Sequence, residues 1–94
     1  MTKIKPVQEI GVGLVFNQNG ELLIDQRLKK SSMGGLWEFP GGKKTPVETI
    51  ENTIVRELKE EVGIVVKVAQ KLMSFEHSYT QKRLRFTVHI CEWI

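Results

Sequence analysis

The chain has 94 residues, a net charge of +3 and a hydrophobic fraction of 40%, which limits it to one small domain with a modest core. It contains no apolar run near the roughly 20 residues of a membrane-spanning helix and no long basic run with interleaved aromatic residues, as nucleic acid binding would favour. A single cysteine, Cys91, and an N-terminus without the apolar stretch of a secretion signal lead us to expect a cytoplasmic protein without a membrane partner.

The N-terminal part is predicted to form a β-hairpin over residues 7–27. VQEIGVGLVF (7–16) is rich in β-branched residues, and NQNG (17–20) ends in Asn-Gly, a strong hairpin-turn signal. The Lys, Ser and Gly content of 28–36 indicates a surface loop. WEFPGGKK (37–44) then reads as a short extended piece that the proline and the glycine pair bring to an end.

One long helix follows. Thr45 is the predicted cap, Pro46 suits the first helical position, and Glu48 completes a capping box. Gly63 is the predicted stop in left-handed conformation. We therefore expect a helix from Pro46 to Val62.

Two further strands are predicted at 65–77 and 83–94, with a turn over 78–82. The fold class is therefore α+β, a mixed sheet with one face covered by the helix. The other face needs a second helix, and the sequence offers none. We expect a single domain over 1–94 that is truncated at its C-terminus, or that buries this face against a partner, for example by self-association.

Charge is distributed unevenly along the chain. Five of the eleven acidic residues fall between positions 48 and 61, and five basic residues fall between 27 and 44. A solvated surface is one interpretation. The other is a basic loop beside an acidic helix, which would suit a polyphosphate bound with a divalent cation.

The acidic residues of the helix form a ridge. At 100° per residue, Glu57, Glu60 and Glu61 lie along the edge of an apolar stripe, whose members are Val47, Ile50, Ile54, Val55, Leu58 and Val62. Lys59 lies on the opposite side, and Arg56 can pair with Glu60, so Glu57 and Glu61 are predicted to lack a helical partner. Such a cluster is either a solvated flank or a site for Mg²⁺ or Mn²⁺.

The spacing of residues 42–64 matches a longer pattern. It fits G-x5-E-x7-R-E-U-x-E-E-x-G-U, with U aliphatic, at every specified position, and so resembles the box of the Nudix hydrolases. GGLWEFPGGK (34–43) is similar to the MutT branch, the 8-oxo-dGTP diphosphatases. The resemblance implies an α/β/α sandwich, and an Mg²⁺-dependent nucleoside triphosphate pyrophosphohydrolase that converts 8-oxo-dGTP or a related purine (d)NTP to the monophosphate and pyrophosphate. Nucleotide-pool sanitation, without a stable nucleic acid complex, is the implied role.

The resemblance also assigns residue roles. The implied metal ligands are the backbone carbonyl of Gly41 and the side chains of Glu57, Glu60 and Glu61, with Mn²⁺ able to replace Mg²⁺. Either Glu57 or Glu60 would act as general base, while Arg56 would orient the glutamates, with Glu48 as its ion-pair partner. The implied substrate contacts are Arg27, Glu38, Phe39, Pro40, Gly41, Gly42 and Lys82. A solvated turn lysine is the alternative for Lys82, and a core position is the favoured alternative for Trp37 or Phe39.

Other functions stay open. MutT-like proteins continue through a further strand and helix, and some carry a histidine where this chain has Ser32. A dinucleoside polyphosphate is an alternative substrate, whereas ADP-ribose is disfavoured because no proline follows Pro46. The last alternative is a non-catalytic recognition module, like the C-terminal domain of adenine mismatch glycosylases, against which the complete set of glutamates argues.

Overall fold

The computed structural model describes residues 6–30 and 34–94, so the predictions for the middle of the 28–36 loop, including Ser32, lie outside the described residues. The described chain forms six strands and one helix. They are β1 (Val7–Phe16), β2 (Asp25–Gln26), β3 (Trp37–Glu38), β4 (Gly41–Lys43), α1 (Ile50–Val62), β5 (Val66–Ser78) and β6 (Arg83–Trp93).

The main sheet has the strand order β4-β1-β6-β5. Strands β1 and β6 are parallel, while the β1–β4 and β5–β6 pairs are antiparallel. This confirms the predicted mixed sheet and the predicted C-terminal hairpin. A separate two-stranded sheet, β2–β3, stands beside it and brings Asp25 opposite Glu38.

The predicted N-terminal hairpin is only partly right. Its turn forms, because the Asn17 side chain accepts hydrogen bonds from the backbone amides of Asn19 and Glu21, both at 2.9 Å, and the Leu23 amide bonds the Val15 carbonyl at 2.9 Å. Beyond Leu23 the second arm leaves β1 and continues as β2. The reason is competition for an edge, since β6 occupies one edge of β1 and β4 occupies the other along Ile10–Val12.

The piece at 37–44 also differs from its prediction. Pro40 divides it into β3 and β4, and the glycine pair does not end a strand but begins β4. A Cβ on Gly41 would collide with the backbone of Gly11 in β1, so this position requires glycine. A core position for Trp37 or Phe39 is wrong, because these side chains are 62% and 44% exposed.

The helix begins four residues later than expected. Thr49 is its N-cap, with a side chain that accepts the Asn52 amide at 3.1 Å. Thr45 and Glu48 bond each other in a separate turn, which leaves Val47 95% exposed and outside the apolar stripe. Gly63 ends the helix at φ +71°, as predicted.

The helix covers one face of the sheet, and the core lies between them. Its buried apolar members are Val15, Ile54, Leu58, Val66 and Cys91. The opposite face is open in the described residues and forms the wall of a cavity of about 560 Å³, lined mainly by Ile10, Val12, Leu14, Met73, Phe75, Phe86 and Val88. This agrees with the expectation that one face lacks a covering helix. None of the described helical residues forms a segment long and apolar enough to cross a membrane.

Candidate active site

Arg56 organises one half of the site. Its Nε and Nη2 bond the two carboxylate oxygens of Glu48 at 2.6 and 3.0 Å, a bidentate geometry. Its Nη2 also bonds the Lys43 carbonyl at 3.0 Å, which connects the helix to the end of β4. The guanidinium holds the pKa of Glu48 down to about 2, and Glu48, followed by Glu57, raises the pKa of Arg56.

The same guanidinium reaches the acidic ridge. Its Nη1 lies 2.8 Å from Glu57 Oε1 and 3.1 Å from Glu60 Oε2. The expectation that Glu57 lacks a helical partner is therefore wrong, because the long Arg56 side chain turns back over its neighbour. Arg56 thus contacts Glu48, as predicted, and two of the three glutamates of the ridge, Glu57 and Glu60.

Strand β4 lies directly against Glu57. A Cβ on Gly42 would overlap the carboxyl group of Glu57, and a Cβ on Gly11, its partner in β1, would lie 2.8 Å from Ile54 Cγ1. Because these two paired residues are glycines, the helix can approach the sheet closely enough for the Glu57 carboxyl group to contact the backbone of Gly42. A simple turn, the alternative role for the glycine pair, does not occur here.

Glu61 faces a different set of neighbours. Asp25, Glu38 and Glu61 each place a carboxylate oxygen within 4.8 Å of the others; we call them the carboxylate triad. Partial burial and then a hydrogen bond with Asp25 raise the pKa of Glu61 to about 8, against the effect of a hydrogen bond from the Gly41 amide. Glu61 is thus not grouped with Glu57 and Glu60 around Arg56.

Asp25 is the member of the carboxylate triad that sequence reasoning missed. It lies in a two-residue strand of a separate sheet, and its pairing with Glu38 follows from the departure of β2 from β1. The available signal was a lone carboxylate after an apolar run, two residues before Arg27. Such a signal shows that Asp25 interrupts an apolar run, but it does not show which side chains Asp25 contacts.

Most of the predicted substrate residues meet at the open cavity. Arg27, Glu38, Phe39, Gly41 and Gly42 all line it. A 3.3 Å ion pair joins Arg27 Nη1 to Glu38 Oε1, and these two side chains also line a second cavity, of about 420 Å³, beside the carboxylate triad.

Two predicted substrate residues lie elsewhere. Pro40 is fully buried, and its carbonyl accepts the Gly13 amide at 2.9 Å, so it contacts β1. Lys82 is exposed in the β5–β6 turn, beside Arg83, which pairs with Val7 at the far end of β1. A substrate contact for either residue stays a prediction.

The donor set fits a hard divalent cation. The ridge and the carboxylate triad together offer carboxylate oxygens, the ligands that Mg²⁺ and Mn²⁺ prefer; the carboxylates are those of Asp25, Glu38, Glu57, Glu60 and Glu61. Gly41 directs its amide to Glu61, and the predicted role of its carbonyl stays a prediction.

Comparisons with known proteins agree on one family. The sequence model of the NUDIX domain matches residues 11–94. An 8-oxo-dGTP diphosphatase of Proteus vulgaris is 38% identical over 85 residues, covering 89% of this chain and 76% of that protein. A CTP pyrophosphohydrolase of Escherichia coli is 34% identical over 82 residues, which span 87% of this chain and 58% of that protein.

Solved structures give the same result. The MutT protein of Methanosarcina mazei superposes with a TM-score of 0.82 at 29% identity, covering 95% of this chain and 65% of that protein. The chain therefore spans somewhat more than half to three quarters of the length of these three relatives.

Proposed function

The chain belongs to the NUDIX domain family, and on this basis we propose that it is an Mg²⁺-dependent nucleoside triphosphate pyrophosphohydrolase of MutT type. Its substrate is 8-oxo-dGTP or a related purine (d)NTP, and its products are the monophosphate and pyrophosphate. The main support is the position of Glu57, held between Arg56 and the backbone of Gly42, a residue that itself lines the apolar cavity.

The proposed metal ligands are Glu57, Glu60 and Glu61. When bound there, Mg²⁺ offsets the charge of the phosphoanhydride oxygens and lowers the pKa of water. Arg56 bonds Oε1 of Glu57, which leaves Oε2 available. Glu57 and Glu60 both remain candidates for the base that accepts a proton from the attacking water.

Arg56 and Glu48 have a positioning role in this proposal. The bidentate pair fixes the guanidinium plane, and the guanidinium then fixes two glutamates and the end of β4. Planar recognition of this kind is specific to arginine. Ligand geometry is thus set before substrate arrives.

The nucleotide base occupies the open cavity. Its wall is apolar, with Phe75 and Phe86 stacked at 5.0 Å between ring centroids and Phe39 partly exposed. Arg27 and Glu38 supply the polar groups at its edge. An apolar wall with few convergent polar groups is typical of sites for planar ligands.

A pyrimidine triphosphate is the second candidate substrate. The similarity to a CTP pyrophosphohydrolase, at 34% identity, favours it. In both cases the partner is a nucleotide. We place the protein in the cytoplasm, as suits a chain whose single cysteine, Cys91, cannot form an internal disulfide.

The test is pyrophosphate release with Mg²⁺, using 8-oxo-dGTP, dGTP, CTP and Ap4A side by side. We expect the highest kcat/KM with 8-oxo-dGTP and loss of turnover in Glu57→Gln. Glu76→Gln is the matched control, because Glu76 pairs with Arg85 on the strand pair at the opposite edge of the sheet. Unchanged turnover in Glu57→Gln contradicts the site, and cleavage of Ap4A without cleavage of any triphosphate contradicts the substrate class.

A further inference from the structure

Asp25 is the only aspartate in the chain, and the family pattern assigns it no role. The β2–β3 ladder places it directly opposite Glu38, and both residues are half-buried. Two carboxylates side by side on a short ladder repel each other. Their arrangement therefore calls for a compensating interaction.

Glu61 adds a third carboxylate to the pair from the helix. The three ligand oxygens lie within 4.8 Å of one another, although the residues come from three distant parts of the chain. Arg27, which pairs with Glu38, brings one positive charge against three carboxylates.

We propose that Asp25 is a ligand of the divalent cation that binds at Glu61, an inference that rests on the proposed function because it concerns the cation of that site. The carboxylate triad is then one face of the metal site, and Glu57 and Glu60 beside Arg56 are the other. Mg²⁺ is usually held by a few protein carboxylates together with waters and substrate phosphates. Asp25 adds a negatively charged ligand of the protein's own, which strengthens cation binding before any nucleotide is present.

A structural role for Asp25 gives a different result. If Asp25 only tied β2 to the helix through Glu61, its replacement would lower stability equally with and without cation. As a ligand, Asp25 repels the other carboxylates when the site is empty. Its replacement should then raise the Tm of the cation-free protein and reduce the increment that the cation adds.

The experiment is a nucleotide-free Mn²⁺ titration, followed by the EPR signal of free Mn²⁺, with Tm measured in EDTA and in excess Mn²⁺. The variants are Asp25→Asn, which keeps the side-chain shape, Glu61→Gln and Glu57→Gln. Glu51→Gln is the control, because Glu51 lies ten residues before Glu61 on the same helix, about 15 Å away. Circular dichroism verifies that each variant is folded.

We expect Asp25→Asn to weaken Mn²⁺ binding by about tenfold or more, and Glu51→Gln to leave it within twofold. An Mn²⁺ affinity of Asp25→Asn within twofold of wild type, or a Tm lowered equally in both buffers, overturns the inference. If Glu57→Gln and Glu61→Gln weaken Mn²⁺ binding but Asp25→Asn does not, the inference about Asp25 fails and the proposed function is retained. If Asp25→Asn, Glu57→Gln and Glu61→Gln all bind Mn²⁺ like wild type, the metal site of the proposed function fails as well.

Discussion

Alanine at Gly41 and at Gly42 should have opposite effects, although the two glycines are adjacent. At Gly41, a new Cβ collides with the carbonyl of Gly11 and lies 2.9 Å from Val12 Cα. Both contacts are to the backbone of β1 in the middle of the sheet. At Gly42, the nearest atoms are all in the carboxyl group of Glu57, the far end of a flexible side chain.

The cost of each substitution in free energy of unfolding depends on which atoms must move to make room for the new Cβ. Gly41→Ala forces two paired strands apart, an overpacking that costs about 1–3 kcal/mol or more, a large part of the stability of a small domain. Gly42→Ala forces Glu57 into a poorer rotamer at about 0.5–1.5 kcal/mol. Replacing a strand glycine by alanine returns about 0.5–1 kcal/mol, so the free energy of unfolding stays within about 1 kcal/mol of wild type.

The loss at Gly42 should appear in activity instead of stability. In Gly42→Ala, displacing the Glu57 carboxylate by about 1 Å is expected to slow pyrophosphate release by about 100-fold, while the free energy of unfolding stays close to that of wild type. Urea unfolding and steady-state kinetics on both variants test this. A Gly42→Ala enzyme with wild-type turnover would show that Glu57 need not lie against β4, and a Gly41→Ala protein of wild-type stability would contradict the close β1–β4 contact.

Three further predictions concern the helix and its acids. Arg56→Lys cannot hold Glu48 in a bidentate pair, so kcat should fall by about 10–100-fold in steady-state assays, and a variant with full kcat would refute the positioning role. In EDTA, the free energy of unfolding should fall as pH rises from about 4.5 to 8. The pKa of Glu61 is about 8 in the native protein and 4.5 in the unfolded chain, so protonation of Glu61 favours the folded state in this pH range. Urea unfolding midpoints at pH 5, 7 and 9 should show this decrease, and Glu61→Gln should reduce it. Glu48 does not contribute to the decrease, because its pKa of about 2 confines its effect on stability to lower pH. Thr49→Ala should cost about 1 kcal/mol as a lost N-cap, and Thr45→Ala clearly less; equal losses in urea unfolding would place the helix start at Thr45 after all.

Local signals in the sequence were sufficient wherever neighbouring residues decide the conformation. The turn at Asn17, the stop at Gly63 and the ridge of Glu57, Glu60 and Glu61 depend on dihedral preferences and on the helical period. Each of these was predictable from spacing. The spacing of 42–64 also identified the family, since the same positions carry the box.

Pairings between distant segments required the tertiary structure. A strand has two edges, and which segments occupy the edges of β1 depends on competition among several candidates, so β2 could not be assigned to β3 from its own residues. The helix start moved because Glu48 is bound by Arg56, eight residues away. The carboxylate triad could not be predicted for the same reason, because its three side chains come together only once the strands have paired.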